Sequence, residues 1–381
     1  MSINLQSVWS QINLIKSREN PLLQSEEIKQ QLREWSHNLP KVDLHRHLEG
    51  SLRLKTLADI AIEHGIDLPS YDLEQLRPYV QVTEEQPDFH RFLEKFKLLR
   101  NFYTSKEAVQ RITREAIMDA ASDNIRYLEL RFNPIALSRV QHFSLEAVVE
   151  WVMEAVEQAQ TETGTRTCLI LQIGRDEPIK VAERIVGLAI DYHGPLVRGV
   201  DLAGDETNYP ATKFAEPFNK AKAAGLGITV HAGEAAGAES VRAAVESLQA
   251  QRIGHGINVV ENSRIVHLLY ERGITLEVCP TSNFQTGAVP GLTMHPLTDL
   301  FSLRLKVTIN TDDPSVSDTT LSDEYVVAIR AIGLKKQHIY QSLHNSIEAA
   351  FIPEEERPAL LSHFQEELAE FPGALEEFNR L

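Results

Sequence analysis

Cysteines and long apolar segments are scarce in this sequence. The 381 residues contain only two cysteines, Cys168 and Cys279, which argues against a disulfide framework and indicates a reducing compartment. Both are expected to be buried as small apolar side chains. No apolar run is long enough to cross a bilayer, and the N-terminus lacks the basic and apolar regions of a secretory signal. We therefore expect a cytoplasmic protein.

Basic residues are also scarce relative to acidic ones. Lys and Arg number 38 against 54 Asp and Glu, which gives a formal net charge of −16. Because nucleic-acid phosphates and anionic membranes both attract basic surfaces, this balance disfavours either partner. The sequence has no G-x-G-x-x-G motif and no P-loop. It also has no internal repeat or low-complexity linker that would mark a second domain, and no pattern in it indicates an oligomeric state.

Strands alternating with helices occupy most of the chain. The predicted strands are 41–47, 125–132, 167–173, 197–202, 227–231, 252–255, 274–279 and 306–311. From the second strand onward, the predicted helices between them are 144–162, 178–192, 211–224, 237–249, 261–272 and 294–303. Eight β-then-α units predict an α/β fold of the (β/α)8 TIM-barrel type, whereas a doubly wound sheet usually has about six strands.

Three further stretches are predicted to be helical. They are an N-terminal extension at 1–38, an insertion after the first strand at 52–120 and C-terminal helices at 322–381. In the extension, Ile28, Leu32 and Trp35 share one helix face. We expect one barrel domain over 1–381, with the insertion lying over the barrel mouth. Plain core helices are the alternative for each helix of the insertion.

His45 and His47 lie two residues apart on the first predicted strand. Alternate side chains of a strand point the same way, so the two imidazoles can converge on one point. Such a pair suits a borderline metal such as zinc if other donors arrive from elsewhere in the fold. The structural alternative is a polar strand end with solvated histidines.

Polar residues at the ends of later strands complete this set. They are Asp205 and Glu206, which follow Gly204 after strand four, His231 and Glu234 at strand five, His255 at strand six, Thr281, Ser282 and Asn283 after strand seven, and Asp312 and Asp313 at strand eight. In a barrel all these ends meet at one mouth, where active sites sit. Three histidines and a carboxylate are the donors of a catalytic zinc, which holds a water and lowers its pKa. Glu234 then serves as a proton donor or shuttle, and His255 orients or deprotonates that water. One of the two acids at strand eight ligates the metal, and the other accepts a hydrogen bond from the substrate.

Each of these residues also has a structural interpretation. An Asp-Asp-Pro sequence is typical of a turn or helix cap, and a single histidine such as His255 is often a core residue. Glu129 and Arg131 are expected to form a buried ion pair on strand two. Two further classes stay open. One is a metal-dependent amide or phosphoester hydrolase, which usually carries a bridging lysine on strand four that is absent here, and the other is a non-enzymatic metal-binding or scaffold protein.

Five motifs in this order resemble those of the adenosine deaminase family, a zinc-dependent branch of the amidohydrolase barrels. They are LHRHLEGS at 44–51, DLAGDE at 201–206, HAGE at 231–234, RIGHG at 252–256 and NTDDP at 310–314. The resemblance runs from about residue 39 to 350 and implies a single amidohydrolase-type barrel domain. Zinc deaminases of the cytidine type use H-x-E with P-C-x-x-C instead, and the latter motif does not occur here.

The resemblance implies a role for each motif residue. It makes His45, His47, His231 and Asp312 the ligands of one Zn²⁺ ion per chain. It makes Glu234 the proton donor to purine N1 and His255 the residue that positions and activates the water. The implied substrate-binding residues are His47, Glu49, Gly204 and Asp313, with the Gly204 backbone meeting N3 and Asp313 hydrogen-bonding N7. Hydroxide then adds to C6, and ammonia leaves.

Glu49 departs from the family pattern. Many adenosine deaminases carry Asp at this ribose-contacting position, while relatives acting on adenine or modified 6-aminopurine nucleosides often carry Glu. The segment SNFQT at 282–286 is similar to that of the nucleoside enzymes. The resemblance therefore implies an adenosine deaminase that converts adenosine and 2′-deoxyadenosine to inosine and deoxyinosine. The alternative substrate is adenine or another 6-aminopurine nucleoside, for example aminodeoxyfutalosine.

Overall fold

Eight parallel strands follow one another around a barrel in the order in which they occur in the chain. The computed structural model describes residues 26–83 and 87–381. Within these residues, strands β1 to β8 are Lys41–His47, Ile125–Phe132, Arg166–Gly174, Val197–Ala203, Gly227–Ala232, Arg252–His255, Thr275–Val278 and Lys306–Ile309. Each strand pairs in parallel with the next. The predicted (β/α)8 TIM barrel is thereby confirmed.

The segment after β8 brings the end of the barrel back to β1. The amide of Asp312 donates a hydrogen bond to the carbonyl of His45, and the amide of His47 donates one to the carbonyl of Asp312, both at 2.8 Å. Asp312 thus bridges to β1 although β8 itself ends at Ile309. This bridge fixes the Asp312 side chain next to the two histidines of β1.

Helices surround the strands and extend the chain at both ends. Helices α1 to α18 are Glu26–Asn38, Leu54–His64, Leu73–Val80, Phe89–Leu99, Lys106–Ser122, Pro134–Ser138, Leu145–Thr163, Ile179–Asp191, Ala215–Ala223, Ala238–Ser247, Ser263–Arg272, Pro280–Gln285, Leu297–Ser302, Pro314–Ser317, Leu321–Val327, Lys336–Ala349, Arg357–Leu368 and Ala374–Phe378. A short 3₁₀ turn, Arg100–Phe102, follows α4. Helix α1 buries Ile28, Leu32 and Trp35, the face that the periodicity predicts. The part of the predicted N-terminal extension before Glu26 lies outside the described residues.

Two predicted boundaries are wrong for identifiable reasons. The helix predicted at 294–303 begins only at Leu297, because Pro296 disfavours the helical conformation in the residue before it and His295 is extended. The strand predicted at 306–311 ends at Ile309. The residues that follow leave the strand geometry, and Asp312 has a positive φ of 65°.

Charged side chains fill the middle of the barrel, and their pairing corrects the expected ion pair between Glu129 and Arg131. Arg131 contacts Asp201 at 3.2 Å and Glu277 at 2.9 Å. Glu129 pairs instead with Arg252, whose Nε also lies 2.6 Å from Glu277. Two residues apart on β2, Glu129 and Arg131 both point inward and reach partners on other strands. All five side chains are fully buried.

Both cysteines are buried, as the sequence analysis expects, and neither forms a disulfide. Across residues 26–83 and 87–381, no helix combines the length and apolar character that crossing a bilayer would require.

Arg252 offers a test of the buried network. The guanidinium packs 3.6 Å from the Phe351 ring centroid and pairs with two acids. An Arg252→Met variant therefore leaves Glu129 without its cation and removes one of the two cations at Glu277, which keeps Arg131. Removing one partner of a buried ion pair typically costs about 3–5 kcal/mol, and we expect a loss of that size from urea denaturation. The exposed Arg242→Met is the control and should leave the midpoint unchanged. Equal midpoints for the two variants would contradict this assignment.

Candidate active site

The four predicted metal ligands bring their donor atoms together at the carboxyl end of the barrel. The Nε2 atom of His47 lies 3.3 Å from that of His45 and 3.2 Å from that of His231. The Oδ1 atom of Asp312 lies 3.2 Å from the Nε2 atoms of both His45 and His47. Ligands of a tetrahedral zinc with bonds of about 2.0–2.1 Å are roughly 3.3 Å apart. The donor set therefore fits one small metal ion.

Two of these imidazoles are held from behind by carboxylates. The Nδ1 atom of His45 lies 2.8 Å from Glu277, and that of His231 lies 3.1 Å from Asp201. An Nδ1–H bond to a carboxylate fixes the tautomer whose Nε2 lone pair can bind a metal. Burial lowers the pKa of His231 to about 4 despite Asp201, so this ring is neutral, as ligation requires.

The two acids behind the histidines stay ionised. Burial alone would raise their pKa values, but it is outweighed by His231 and Arg131 at Asp201, and by Arg131 and Arg252 at Glu277. The net result is a lowered pKa for both carboxyl groups. Each is therefore a charged acceptor for an imidazole N–H, which makes the hydrogen bond strong.

Asp312 is positioned by its backbone and by a serine. Its φ of 65° is in the left-handed region, which is uncommon for residues other than glycine and is often found at functional sites. The Ser282 hydroxyl donates to Oδ2 at 2.6 Å, while Oδ1 faces the imidazoles. His255, with a φ of 62°, lies beside this cluster, its Nε2 3.9 Å from Asp312 Oδ2.

A chain of hydrogen bonds assigns the tautomer of His255. The amide of Leu297 donates to His295 Nδ1, so the Nε2–H of His295 donates to Asn283 Oδ1 at 3.3 Å. The amide nitrogen of Asn283 then donates to His255 Nδ1 at 3.0 Å. His255 therefore carries its proton on Nε2, which faces Glu234 at 3.4 Å. His295 thus orients the site from outside the donor cluster.

Glu234 is a buried acid next to these donors. Its Oε1 accepts a hydrogen bond from Thr286 at 2.9 Å and one from Asn283 at 3.3 Å. Burial and the nearby Asp312 carboxylate raise the pKa of Glu234 to about 8, above its ordinary value near 4.5. The side chain is therefore a carboxylic acid at neutral pH and has a proton to give.

The turn that carries Glu234 is held by Glu206. The carboxylate of Glu206 accepts hydrogen bonds from four successive backbone amides, those of residues 233–236. Gly233 has a φ of 72°, and a Cβ there would lie 2.6 Å from Val241. Glycine is therefore required at the start of this turn.

A cavity of about 740 Å³, open space at its mouth included, adjoins the donors. One wall consists of Phe89, Phe92, Leu93 and Phe96, which form a single face of α4 at helical spacing. Asp88 caps the N-terminus of helix α4, and its side chain accepts a hydrogen bond from the Arg91 amide. This wall, part of the predicted insertion, is suited to the face of an aromatic ring.

The predicted substrate-binding residues line the same cavity. His47 and Gly204 contribute to its wall, and Gly204 has a φ of 102°. Glu49 Oε1 accepts from the Asn133 amide at 2.9 Å, whereas Glu49 Oε2 and Asp313 Oδ1 are buried without a hydrogen-bond partner among the described residues. Burial and Asp312 raise the pKa of Asp313 well above its usual range, so its carboxyl group is protonated. A ligand with polar atoms would give Glu49 Oε2 and Asp313 Oδ1 the hydrogen-bond partners that they lack.

Sequence reasoning missed several residues of the site. Asp201 and Glu277 had a detectable signal, because each is an acid with an apolar residue on either side in its strand. Gln172 on β3 and Arg100 after α4 also line the cavity, and neither belongs to a motif.

An imidazole–carboxylate donor set at the carboxyl end of a (β/α)8 barrel defines the class as a metal-dependent barrel enzyme. The family model described as adenosine deaminase matches residues 40–367, and the chain belongs to this family. The chain is 39% identical over 325 residues to the adenosine deaminase of Klebsiella pneumoniae, covering 85% of this chain and 97% of that protein. The resemblance drawn from the five motifs is thereby confirmed.

Solved structures of similar proteins share the fold. The adenine deaminase of Arthrobacter aurescens has a TM-score of 0.80 at 28% identity, covering 87% of this chain and 99% of that one. A Burkholderia ambifaria amidohydrolase with bound zinc has a TM-score of 0.82 at 26% identity, covering 90% and 94%. The Arabidopsis N6-mAMP deaminase has a TM-score of 0.78 at 28% identity, covering 87% and 99%.

Asp201 offers a test of the metal site that does not depend on turnover. An Asp201→Asn variant replaces the charged acceptor behind His231 with a neutral amide. Loss of such an outer partner typically lowers metal affinity about 10- to 100-fold, and we expect this from competition with a chelator. The exposed Asp191→Asn is the matched control. Unchanged affinity in a folded Asp201→Asn protein would contradict the positioning role.

Proposed function

We propose that this protein is a zinc-dependent deaminase that converts adenosine and 2′-deoxyadenosine to inosine and deoxyinosine, releasing ammonia. The observation that carries this proposal is the protonated Glu234, which faces the cavity beside the metal donors and the apolar wall. A ring of low electrophilicity needs such a proton donor before water can add to it. Family membership and the Klebsiella relative support the same activity.

Zinc is the proposed metal, and His45, His47, His231 and Asp312 are its proposed ligands. Their donor separations of 3.2–3.3 Å support a tetrahedral ion, and the zinc-bound Burkholderia neighbour supports its identity. When bound, zinc supplies a nucleophile by lowering the pKa of a coordinated water. The ordering of divalent-metal affinities does not by itself select zinc, so metal content is part of the test.

The remaining residues bind the purine and move protons. Glu234 delivers its proton to N1, which makes C6 electrophilic, and His255 orients the attacking water through its Nε2–H. The neutral Asp313 carboxyl donates to N7, whereas the sequence analysis expects this acid to accept a hydrogen bond from the substrate, and the Gly204 backbone meets N3. One proton of the water replaces the one that Glu234 gave, and the other leaves with the amino group as ammonia.

The apolar face of α4 covers the purine ring in this proposal. Phe92 and Phe96 are buried, and their wall keeps bulk water from competing with the reacting water. We infer that 52–120 lies over the barrel mouth and that 1–381 forms one domain with the C-terminal helices 322–381. The position of α4 against the cavity supports this arrangement.

Glu49 is proposed to contact the sugar of the bound nucleoside, and His47 is proposed to lie on the opposite side of that nucleoside. The alternatives are adenine or a modified 6-aminopurine nucleoside, since Glu is one methylene longer than the Asp of many adenosine deaminases. Identity to the Klebsiella adenosine deaminase is 39%, against 28% to the adenine deaminase of known structure. The nucleoside is therefore the first candidate.

A substrate panel tests the proposal. Purified zinc-loaded protein is assayed for ammonia release from adenosine, 2′-deoxyadenosine and adenine, with a metal-stripped sample as control. We expect release from both nucleosides that stops on stripping and returns with zinc. Release from adenine alone would contradict the sugar requirement, and release that survives stripping would contradict the metal dependence.

The pH dependence tests the proton donor separately. The Thr286 hydroxyl donates to Glu234 and lowers the pKa of its carboxyl group, so Thr286→Val should raise that pKa further. Because the protonated acid is the active form, activity is lost as pH rises through this pKa. The decline of kcat/KM at alkaline pH should therefore occur at higher pH in Thr286→Val than in the wild type. In the exposed Thr161→Val it should occur at the same pH as in the wild type. A decline that does not move in Thr286→Val, or moves to lower pH, would count against Glu234 as the donor.

A further inference from the structure

Polar atoms without partners collect at the side of the cavity where Glu49 lies. Five buried polar atoms near or within its wall have no hydrogen-bond partner among the described residues: Glu49 Oε2, Arg100 Nε, Tyr103 OH, Gln172 Oε1 and Asp313 Oδ1. Unsatisfied buried polar groups are costly and rare in folded proteins. Their concentration here indicates a wall that a polar ligand completes.

Arg100 differs from the rest of this wall by its charge. Among the described residues that line the cavity it is the one Lys or Arg, and no described residue accepts a hydrogen bond from it or forms an ion pair with it. A guanidinium keeps its charge at all physiological pH values. The wall therefore holds a fixed positive charge that no described carboxylate pairs with.

The location of Arg100 follows from its neighbours. It opens the 3₁₀ turn that follows α4, four residues beyond Phe96 of the apolar wall, and it lies between the buried Leu99 and Phe102. Arg100 and Glu49 both act on the buried Tyr103 phenol, whose pKa is raised mainly by burial. Arg100 and Glu49 line the same cavity, and the charge of Arg100 acts on the Glu49 carboxyl group, so Arg100 lies towards the sugar end of the proposed binding mode.

We propose that Arg100 is a specificity-determining residue that pairs with an anionic group, a phosphate or a carboxylate, attached to the sugar end of the substrate. A planar guanidinium matches two oxygens of either group in a bidentate pair. A neutral nucleoside satisfies Glu49 through its hydroxyl groups but leaves Arg100 without a partner. This inference rests on the proposed deaminase function and names its substrate class as acidic 6-aminopurine nucleosides.

The test compares adenosine, AMP and adenosine-5′-carboxylate as substrates of the zinc-loaded enzyme at constant ionic strength. Because a hydrogen bond to a charged group is worth about a factor of ten or more, kcat/KM should favour an anionic substrate by at least about that factor. A preference for AMP alone identifies a phosphate subsite, and equal use of both anions identifies general anion recognition. A wild-type preference for adenosine would overturn the proposal.

Variants of Arg100 assign the preference to this residue. Arg100→Met should lose the advantage of the anionic substrates, mainly through KM, so that the ratio of kcat/KM for AMP to kcat/KM for adenosine falls towards one. Arg100→Lys keeps the charge and should restore part of the advantage, and the exposed Arg264→Met is the matched control. Equal losses for charged and neutral substrates in Arg100→Met would overturn the proposal, because they indicate a purely structural role.

Failure of the deaminase function is separable from failure of this inference. If no substrate releases ammonia, calorimetric titration with AMP and with adenosine still measures whether the cavity prefers the anion and whether Arg100→Met removes that preference. Tighter AMP binding that depends on Arg100 supports the anionic subsite without the reaction. Equal affinities for AMP and adenosine overturn it.

Discussion

Carboxylates behind the histidines are the constraint on which the rest of the site depends. The Nε2 atom of His47 lies 3.2–3.3 Å from those of His45 and His231, a separation that requires a proton or a metal ion between the nitrogens. Glu277 and Asp201 hold two of these rings from behind, and Arg131 joins the two acids. The barrel interior thus directs the imidazole Nε2 atoms towards one point, and a metal ion bound there would stabilise the folded protein.

Adjacent acids take opposite protonation states because their surroundings differ. Burial raises the pKa of both Asp312 and Asp313, but His45 and His47 outweigh it at Asp312 and leave that carboxylate ionised. At Asp313 the neighbouring Asp312 adds to the effect of burial, so the carboxyl group stays neutral. Asp312 can therefore bind a cation, and Asp313 can donate a hydrogen bond to an acceptor. Neighbouring acids whose pKa values are shifted in opposite directions commonly take different roles in this way.

The barrel and its polar strand ends could be predicted because they depend on local periodicity. Strands β1, β2 and β6 have the predicted bounds, and the polar residues at strand ends meet at one mouth. The partners of Glu129 and Arg131 could not be predicted, since pairing across a barrel depends on the tilt and stagger of strands far apart in sequence. The hydrogen-bonded chain from His295 to His255 depends on loop conformation, and no pattern of sequence encodes it. Arg100 lacked a signal because an arginine at the end of an amphipathic helix is usually solvated.

Turnover of a Glu234→Gln variant, measured together with its zinc content, is the decisive test of the proton-donor role of Glu234. Gln keeps the size and hydrogen bonding of Glu but has no acidic proton, and Glu234 is not among the proposed ligands. We predict wild-type zinc content and a kcat lowered by about 10²–10⁴-fold, the usual contribution of a general acid, with the exposed Glu271→Gln unchanged. Wild-type turnover by zinc-loaded Glu234→Gln would contradict the claim that a buried neutral acid drives the reaction.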